Sequence, residues 1–169
     1  MRATINKGRL TASFAGPVTV FVIGMRINRL LRVGKWLPVV RAMSPMIREL
    51  RDRPESGFLG SEAMLRDLRT VSMIQYWRDF DSLEAYTRDR EQSHWPAWTA
   101  FNRAVGNDGT VGIFHETYTV QAGSYETIYV NMPSVGLGRV AGLQQATGSR
   151  SEARSRMRAA DTQDGSEPK

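Results

Sequence analysis

The ten residues Val18–Ile27, VTVFVIGMRI, constrain this chain most. Apolar and β-branched side chains fill both parities of the run, so it reads as a strand covered on both faces. It is far short of the ~20 apolar residues of a membrane span, and Arg26 interrupts it. Asn28 is a suitable helix N-cap. From 29 to 51, Leu30, Leu31, Trp36, Leu37, Val40, Met43, Met46, Ile47 and Leu50 recur mostly at spacings of three and four. This predicts an amphipathic helix, broken near Gly34 and Pro38 and again at Ser44 and Pro45.

Two strands follow over 58–65 and 70–77, after the turn chemistry of Arg53-Pro54-Glu55-Ser56-Gly57. Asp81 or Ser82 opens a second helix, running through Leu83, Tyr86, Trp95, Trp98 and Phe101 to Ala104, with a kink at Pro96. Gly106-Asn107-Asp108-Gly109 ends it, and 110–120 and 125–132 read as a closing hairpin of strands. The order is β-α-β-β-α-β with one added strand. It predicts an α+β, ferredoxin-like split βαβ with an antiparallel sheet and two helices on one face. The uncovered face would expose apolar strand residues, which marks an interface. Two copies paired through it form a homodimer, a dimeric α/β barrel with a cavity between sheet and partner.

The expected domain is therefore 14–133, with 1–13 an N-terminal extension and 134–169 a largely disordered C-terminal tail carrying a little helix near 151–160. The net charge of +6 sits in the ends: 1–13 carries +3, 134–169 carries +2, and the centre is nearly balanced. No basic face is concentrated for nucleic acid, so none is expected as a partner. Cysteine is absent, which removes thiol nucleophiles, disulfides and cysteine-ligated metals. Arg2, Lys7 and Arg9 ahead of 17–25 imitate a signal peptide, but the apolar run is short and no small-residue cleavage site follows. The reading is a cytoplasmic protein without a membrane partner.

Strand parity offers a candidate pocket. Gln75 and Trp77 share one face of their strand, His115 and Thr117 one face of theirs, and Tyr129 and Asn131 one face of the last. Grouped, they give an apolar pocket with a few convergent polar groups, as a small-molecule site requires. His115 lies mid-strand, where an imidazole can act as general base or haem ligand. The plainer reading is a buried histidine satisfied by one hydrogen bond. His94, in SHWPAW, is the second candidate for haem. Arg26 can meet an anionic substrate group or pair with Glu116. Gly136-Leu137-Gly138-Arg139-Val140-Ala141 matches a loose dinucleotide fingerprint but lacks the strand–helix context that the motif needs.

Taken in order, FVIGMRINRL, GKWLPVVRAM, GFLG, QYWRDFDSLEAY, HWPAWTAFNRAV, VGIFHETY and YETIYVNMP resemble a family of small monooxygenase-like proteins of bacteria and fungi. That family is related to a fungal polyketide-pathway monooxygenase, within the antibiotic-biosynthesis-monooxygenase group of dimeric α/β barrels. The resemblance spans about 21–133 and implies a ferredoxin-like homodimer. Relatives by fold include cofactor-free oxygenases, haem-degrading enzymes and haem-containing aldoxime dehydratases. Haem degraders carry a histidine on the helix after the strand-end tryptophan. Here that neighbourhood reads Tyr86-Thr87-Arg88, which argues against their chemistry.

The expected function is a monooxygenase-like oxidoreductase acting on a hydrophobic small molecule of secondary metabolism, cofactor-free or haem-assisted. His115 would form a carbanion or enolate, Asn131 and Gln75 would hold its oxygen, and Trp77, Tyr129, Thr117 and Arg26 would bind substrate. In the haem version His115 binds iron. Two alternatives stand: a haem-dependent aldoxime-dehydratase-like lyase, with His94 or Ser72 as distal group, and a non-catalytic small-molecule-binding dimer.

Overall fold

The computed structural model describes residues 3–89, 99, 103 and 105–161 of the 169. Its elements are β1 (Asn6–Ala12), β2 (Val18–Ile27), α1 (Val33–Arg51), β3 (Phe58–Asp67), β4 (Thr70–Trp77), α2 (Phe80–Arg88), β5 (Val111–Val120), β6 (Tyr129–Met132), α3 (Leu137–Ala141), β7 (Leu143–Gln145) and α4 (Ala153–Asp161). They fall into two units, Val20–Tyr118 and the paired chain ends Met1–Thr19 with Thr119–Lys169. No helix among the described residues is long and apolar enough to cross a membrane.

The central unit is the ferredoxin-like α+β fold. Its antiparallel sheet runs β3-β4-β2-β5, so the first and third strands of the motif occupy the middle. β3 and β4 pair in a register that sets Ser61 opposite Gln75 and Ala63 opposite Met73. Alternation then sorts the side chains. Phe21, Met73 and Trp77 pack with Ile47 and Leu50 of α1 and Leu83 of α2. Met25, Ile27, Val111 and Ile113 pack with Val39 and Val40 of α1. Trp77 and Val39 are completely buried, so the sheet is clamped to α1 at both ends.

The opposite sheet face carries the even residues of β2. A Cβ on Gly24 would fall 2.3 Å from Phe114 Cε1, so only glycine lets that ring lie flat on β2. Arg26 does not meet Glu116. Its Nη1 donates to Thr70 Oγ1 at 2.9 Å and to Asp67 Oδ2 at 3.3 Å. Glu116 instead accepts from Tyr118 Oη at 2.7 Å.

Both helices depart from expectation. α1 is unbroken and holds Pro38 and Pro45 inside it. Each proline deletes one backbone hydrogen bond, but the buried Val39, Ile47 and Leu50 fix the helix against the sheet on either side of them. The helix also begins later. Arg29–Arg32 is a turn, closed by Arg32 N to Arg29 O at 3.2 Å and by Trp36 Nε1 donating to Leu30 O at 2.9 Å. α2 begins earlier, because Asp79 is its cap: its Oδ1 accepts from Ser82 N at 2.6 Å. Gly57, left-handed at φ +78°, makes room there, since a Cβ would strike Ser82. The expected continuation through Trp95, Trp98 and Phe101, and His94 with it, lies outside the described residues.

The chain ends build a second sheet, ordered β6-β1-β7. Three expectations concern it. Asn6–Ala12, within the expected N-terminal extension, forms β1, the central strand of this sheet. The last strand is shorter than 125–132 and pairs antiparallel with β1, with Leu10 opposite Tyr129. Of the region 134–169, the described residues to 161 hold α3, β7 and α4, the last close to the expected helix. β1, NKGRLTA, carries no period-two pattern, and β6 and β7, with four and three residues, offer little length for one. Side chains supply the order instead. Thr127 Oγ1 lies 3.0 Å from Thr11 Oγ1 and accepts from Ala12 N at 2.8 Å. Arg156 is buried, donating to Glu126 Oε2 at 2.6 Å and to the carbonyls of Arg150 and Ser151.

Candidate functional site

In the central unit, α1 does not seal against the sheet along its whole length. A hollow of about 210 Å³ opens beneath Val40 and Met43, floored by Ile23, Met25, Met73 and Ile113. A smaller one of about 90 Å³ adjoins it, sharing Ile23 and Met43 and ending at Gln75, Leu83 and Tyr86. Among the described residues no Lys, Arg, Asp, Glu or His lines either hollow. The lining of the cleft is therefore largely apolar, with Ser44, Ser72, Gln75, Tyr86 and Thr87 as its polar members.

Gln75 is its best-defined polar group. Oε1 accepts from the buried Trp77 Nε1 at 3.0 Å. The indole can only donate, so this bond fixes which way the amide is turned. Nε2 then points toward Met73 Sδ at 3.8 Å, a weak acceptor. A ligand oxygen would be a far better partner for that N–H. Tyr86 stands at the same end, its ring 5.6 Å from Trp77. Burial, and after it the Glu49 carboxylate, raise its phenol well above the ordinary value, so it stays a neutral hydroxyl at any physiological pH.

The six residues grouped by parity divide between the two units. Gln75, Trp77, His115 and Thr117 belong to the central one, and the structure brings the first three to the helix-covered face. Trp77 is core rather than wall. His115 is exposed, not buried, with its ring 5.7 Å from that of Phe21. Phe21 lines the smaller hollow, so the imidazole lies beside the cleft. Thr117 is exposed two residues further along β5.

Tyr129 and Asn131 belong to the chain-end unit. Tyr129 Oη accepts from Gly138 N at 2.9 Å, and a Cβ on Gly138 would meet its ring at 2.9 Å. That contact explains the glycine of the loose dinucleotide pattern without a nucleotide, and α3 has only five residues. Asn131 is left-handed, φ +53°, and its Oδ1 accepts from Gly8 N at 3.0 Å across the register shift between Asn6 and Arg9. Arg26 lies on the uncovered face, held by Asp67 and Thr70. The cleft thus lies between sheet and α1, not on the face expected to meet a partner. Met43, Met46 and Tyr86 are the lining residues that sequence reasoning left as core or passed over, since a helical apolar stripe looks alike over a core and over a cleft.

A ferredoxin-like sheet roofed by a helix, with a largely apolar cleft between them, defines the central unit as an α+β protein of the ferredoxin-like class. The family described as Monooxygenase af470-like matches residues 18–137, and the chain belongs to it. It is 32 % identical over 161 residues to Monooxygenase af470 of Aspergillus fumigatus, covering 81 % of this chain and 55 % of that protein. The chain thus spans about half the length of that curated relative. A crystal structure of an aldoxime dehydratase is similar in fold, with a TM-score of 0.60 at 17 % identity over 87 % of this chain and 46 % of that one. SnoaB, a cofactor-independent oxygenase from Streptomyces nogalater, gives a TM-score of 0.44 at 18 % identity, covering 63 % of this chain and 95 % of its own.

Proposed function

We propose that the protein is a monooxygenase-like oxidoreductase that binds a neutral, hydrophobic small molecule in the cleft under α1 and oxygenates it. The observation that carries this reading is the cleft itself: uncharged, apolar, and furnished at one end with an amide N–H whose present acceptor is a thioether. Membership of a monooxygenase-like family supplies the reaction class.

The chemistry suits a substrate with a C–H made acidic by a neighbouring carbonyl. His115 is not in the cleft lining but lies beside Phe21 at its edge, so it serves as base for a C–H presented at that edge, leaving a carbanion whose charge is delocalised onto the carbonyl oxygen. The Gln75 Nε2–H donates to that oxygen, an interaction worth more in a largely apolar cleft than in water. The electron-rich carbanion reacts with O2 to form a hydroperoxide after reprotonation, and loss of water leaves a new carbonyl. In balance, R2CH2 and O2 give R2C=O and H2O. Trp77 acts indirectly, holding the Gln75 amide in the productive orientation.

The residues fit haem poorly. The larger hollow holds about 210 Å³, below the ~300–1,000 Å³ typical of sites for drug-sized ligands. No described histidine lines it, and His115, the first candidate ligand, lies beside the cleft with its ring tilted 40° to that of Phe21. No step is derived through haem, and the aldoxime-dehydratase-like lyase, whose candidate His94 lies outside the described residues, is the distant alternative. Met64 and Tyr118 are exposed on the sheet face away from α1, which supports a homodimer formed through that face.

The test is oxygen uptake over a panel of neutral ketones and phenols with activated C–H groups. Wild-type protein should consume O2 with one or more of them. His115→Ala and Gln75→Leu should each slow turnover by about 10²-fold or more. Uptake unchanged in both variants would overturn the mechanism. A saturable haem absorption band lost in His115→Ala would overturn the cofactor-free form of it.

A further inference from the structure

We propose that the cleft is built for breadth: its four methionines let it accept neutral apolar ligands of different shape. This rests on the cleft being the substrate site and adds what class of substrate that site selects. The chain has eight methionines, and Met25, Met43, Met46 and Met73 all line these two small hollows. Methionine is unbranched, turns about three side-chain bonds, and carries a polarisable sulfur that makes favourable contacts with aromatic rings. The β-branched Ile23, Ile47 and Ile113 of the same lining are stiff at their first side-chain bond and fix part of the contour, so adjustment falls to the methionines. A wall carrying thioethers re-forms around its occupant.

The placement of the four is specific. Met43 lines both hollows, so its side chain stands at their junction, and a change of rotamer sets how far the spaces communicate. Met46, three residues along α1, lies over the smaller hollow on the same helix face. Met25 and Met73 come from the adjacent central strands β2 and β4. Met73 Sδ also takes the Gln75 Nε2–H at 3.8 Å, so an arriving ligand oxygen displaces a weak bond rather than a strong one. The site therefore combines an adjustable wall with the oriented Gln75 donor, beside the hydroxyls of Ser72 and Tyr86 that also line it. It selects a neutral molecule bearing a hydrogen-bond acceptor and leaves the outline of the apolar part loosely specified.

The test uses full-length protein carrying 13C-methyl methionine and two probes, naphthalen-2-ol and adamantan-1-ol. These have equal numbers of non-hydrogen atoms and one hydroxyl each, but one is flat and aromatic and the other globular and saturated. Both should bind, with affinities within about tenfold of each other. Both should move the methyl signals of Met25, Met43, Met46 and Met73 and leave those of Met64, Met132 and Met157 in place. In Met43→Ile/Met46→Ile the stiffer β-branched walls should separate the two probes by more than about tenfold. Met43→Leu/Met46→Leu, which conserves volume better, serves for the same comparison if the isoleucine variant fails to fold.

Binding of one probe only, binding without movement of the cleft methyls, or a variant that treats both probes as wild type does would each overturn the inference. Oxygenase failure reads differently. If both probes move the four methyls but no substrate drives O2 uptake, the breadth stands and the oxygenase reading falls.

Discussion

Gln75 in the central unit and Asn131 in the chain-end unit are both strand amides, and both look equally suited to hold a substrate oxygen. Their surroundings separate them. Asn131 spends its Oδ1 on Gly8 N at 3.0 Å and sits in a left-handed turn that its own side chain supports. Gln75 has one strong partner, Trp77, and one weak one, Met73, and faces a hollow. The same contrast runs through the two units. In the chain ends, Thr127, Tyr129 and Arg156 are all engaged in holding a small sheet together. In the central unit packing does that work, and polar groups beside the cleft keep capacity for a ligand. Residue type nominates a site, but the accounting of hydrogen-bond partners distinguishes site from scaffold.

The contrast is broken most severely by removing packing from the central unit. Trp77→Ala should cost about 3–5 kcal/mol in urea unfolding, because the side chain is fully buried. Trp77→Phe keeps most of the volume but strips Gln75 Oε1 of its donor, a loss of about 1–3 kcal/mol. It should also weaken ligand binding, measured by titration, since the amide is then free to turn.

In the chain-end unit the largest loss should come from Arg156→Ala, about 1–3 kcal/mol, by removing a buried donor from the half-buried Glu126 and from the carbonyls of Arg150 and Ser151. Hydrogen exchange at Thr11 and Ala12 should accelerate, while the amides of Met73, Gln75 and Trp77 keep their protection. Equal acceleration in both units would show that the division into scaffold and site is false. Asn131→Ala should cost about 1 kcal/mol or more for an alanine at positive φ, and should leave oxygen uptake unchanged, unlike Gln75→Leu.

The smallest effect is at the helix cap. Asp79→Ala should cost about 1 kcal/mol. Hydrogen bonds from Ser82, and less so from Arg78, hold the Asp79 carboxyl down to about 2. Its contribution is therefore complete above the ordinary carboxylate value near 4 and lost as pH falls through about 2. Unfolding measured from pH 6 downward should show the variant converging on wild type across that window.

Much of the central unit is legible in the sequence. The two-sided run Val18–Ile27, the stripe on α1 and the turn around Gly57 each carry a local signal, and their order alone gives the ferredoxin-like motif. The strand parity that joins Gln75, Trp77 and His115 is legible too, because alternation is a local property. Burial is less so: His115 lies amid apolar neighbours and is nevertheless exposed. The continuity of α1 through Pro38 and Pro45 is set by its packing on the sheet, which no local rule reports. The second sheet is hidden for a different reason. Its strands come from opposite ends of the chain, and their pairing is fixed by long-range contacts such as Thr11 with Thr127. Tyr129 and Asn131 belong to that sheet, so strand parity alone does not relate them to Gln75.

The central claim is that ligand binds in the cleft of the central unit. Amide chemical-shift mapping during titration with naphthalen-2-ol tests it most directly. The account predicts shifts confined to residues of β2, β4 and α1 that line the cleft, chiefly Ile23, Met43, Met73 and Gln75. Shifts centred on Gly8, Tyr129 and Asn131 would contradict it.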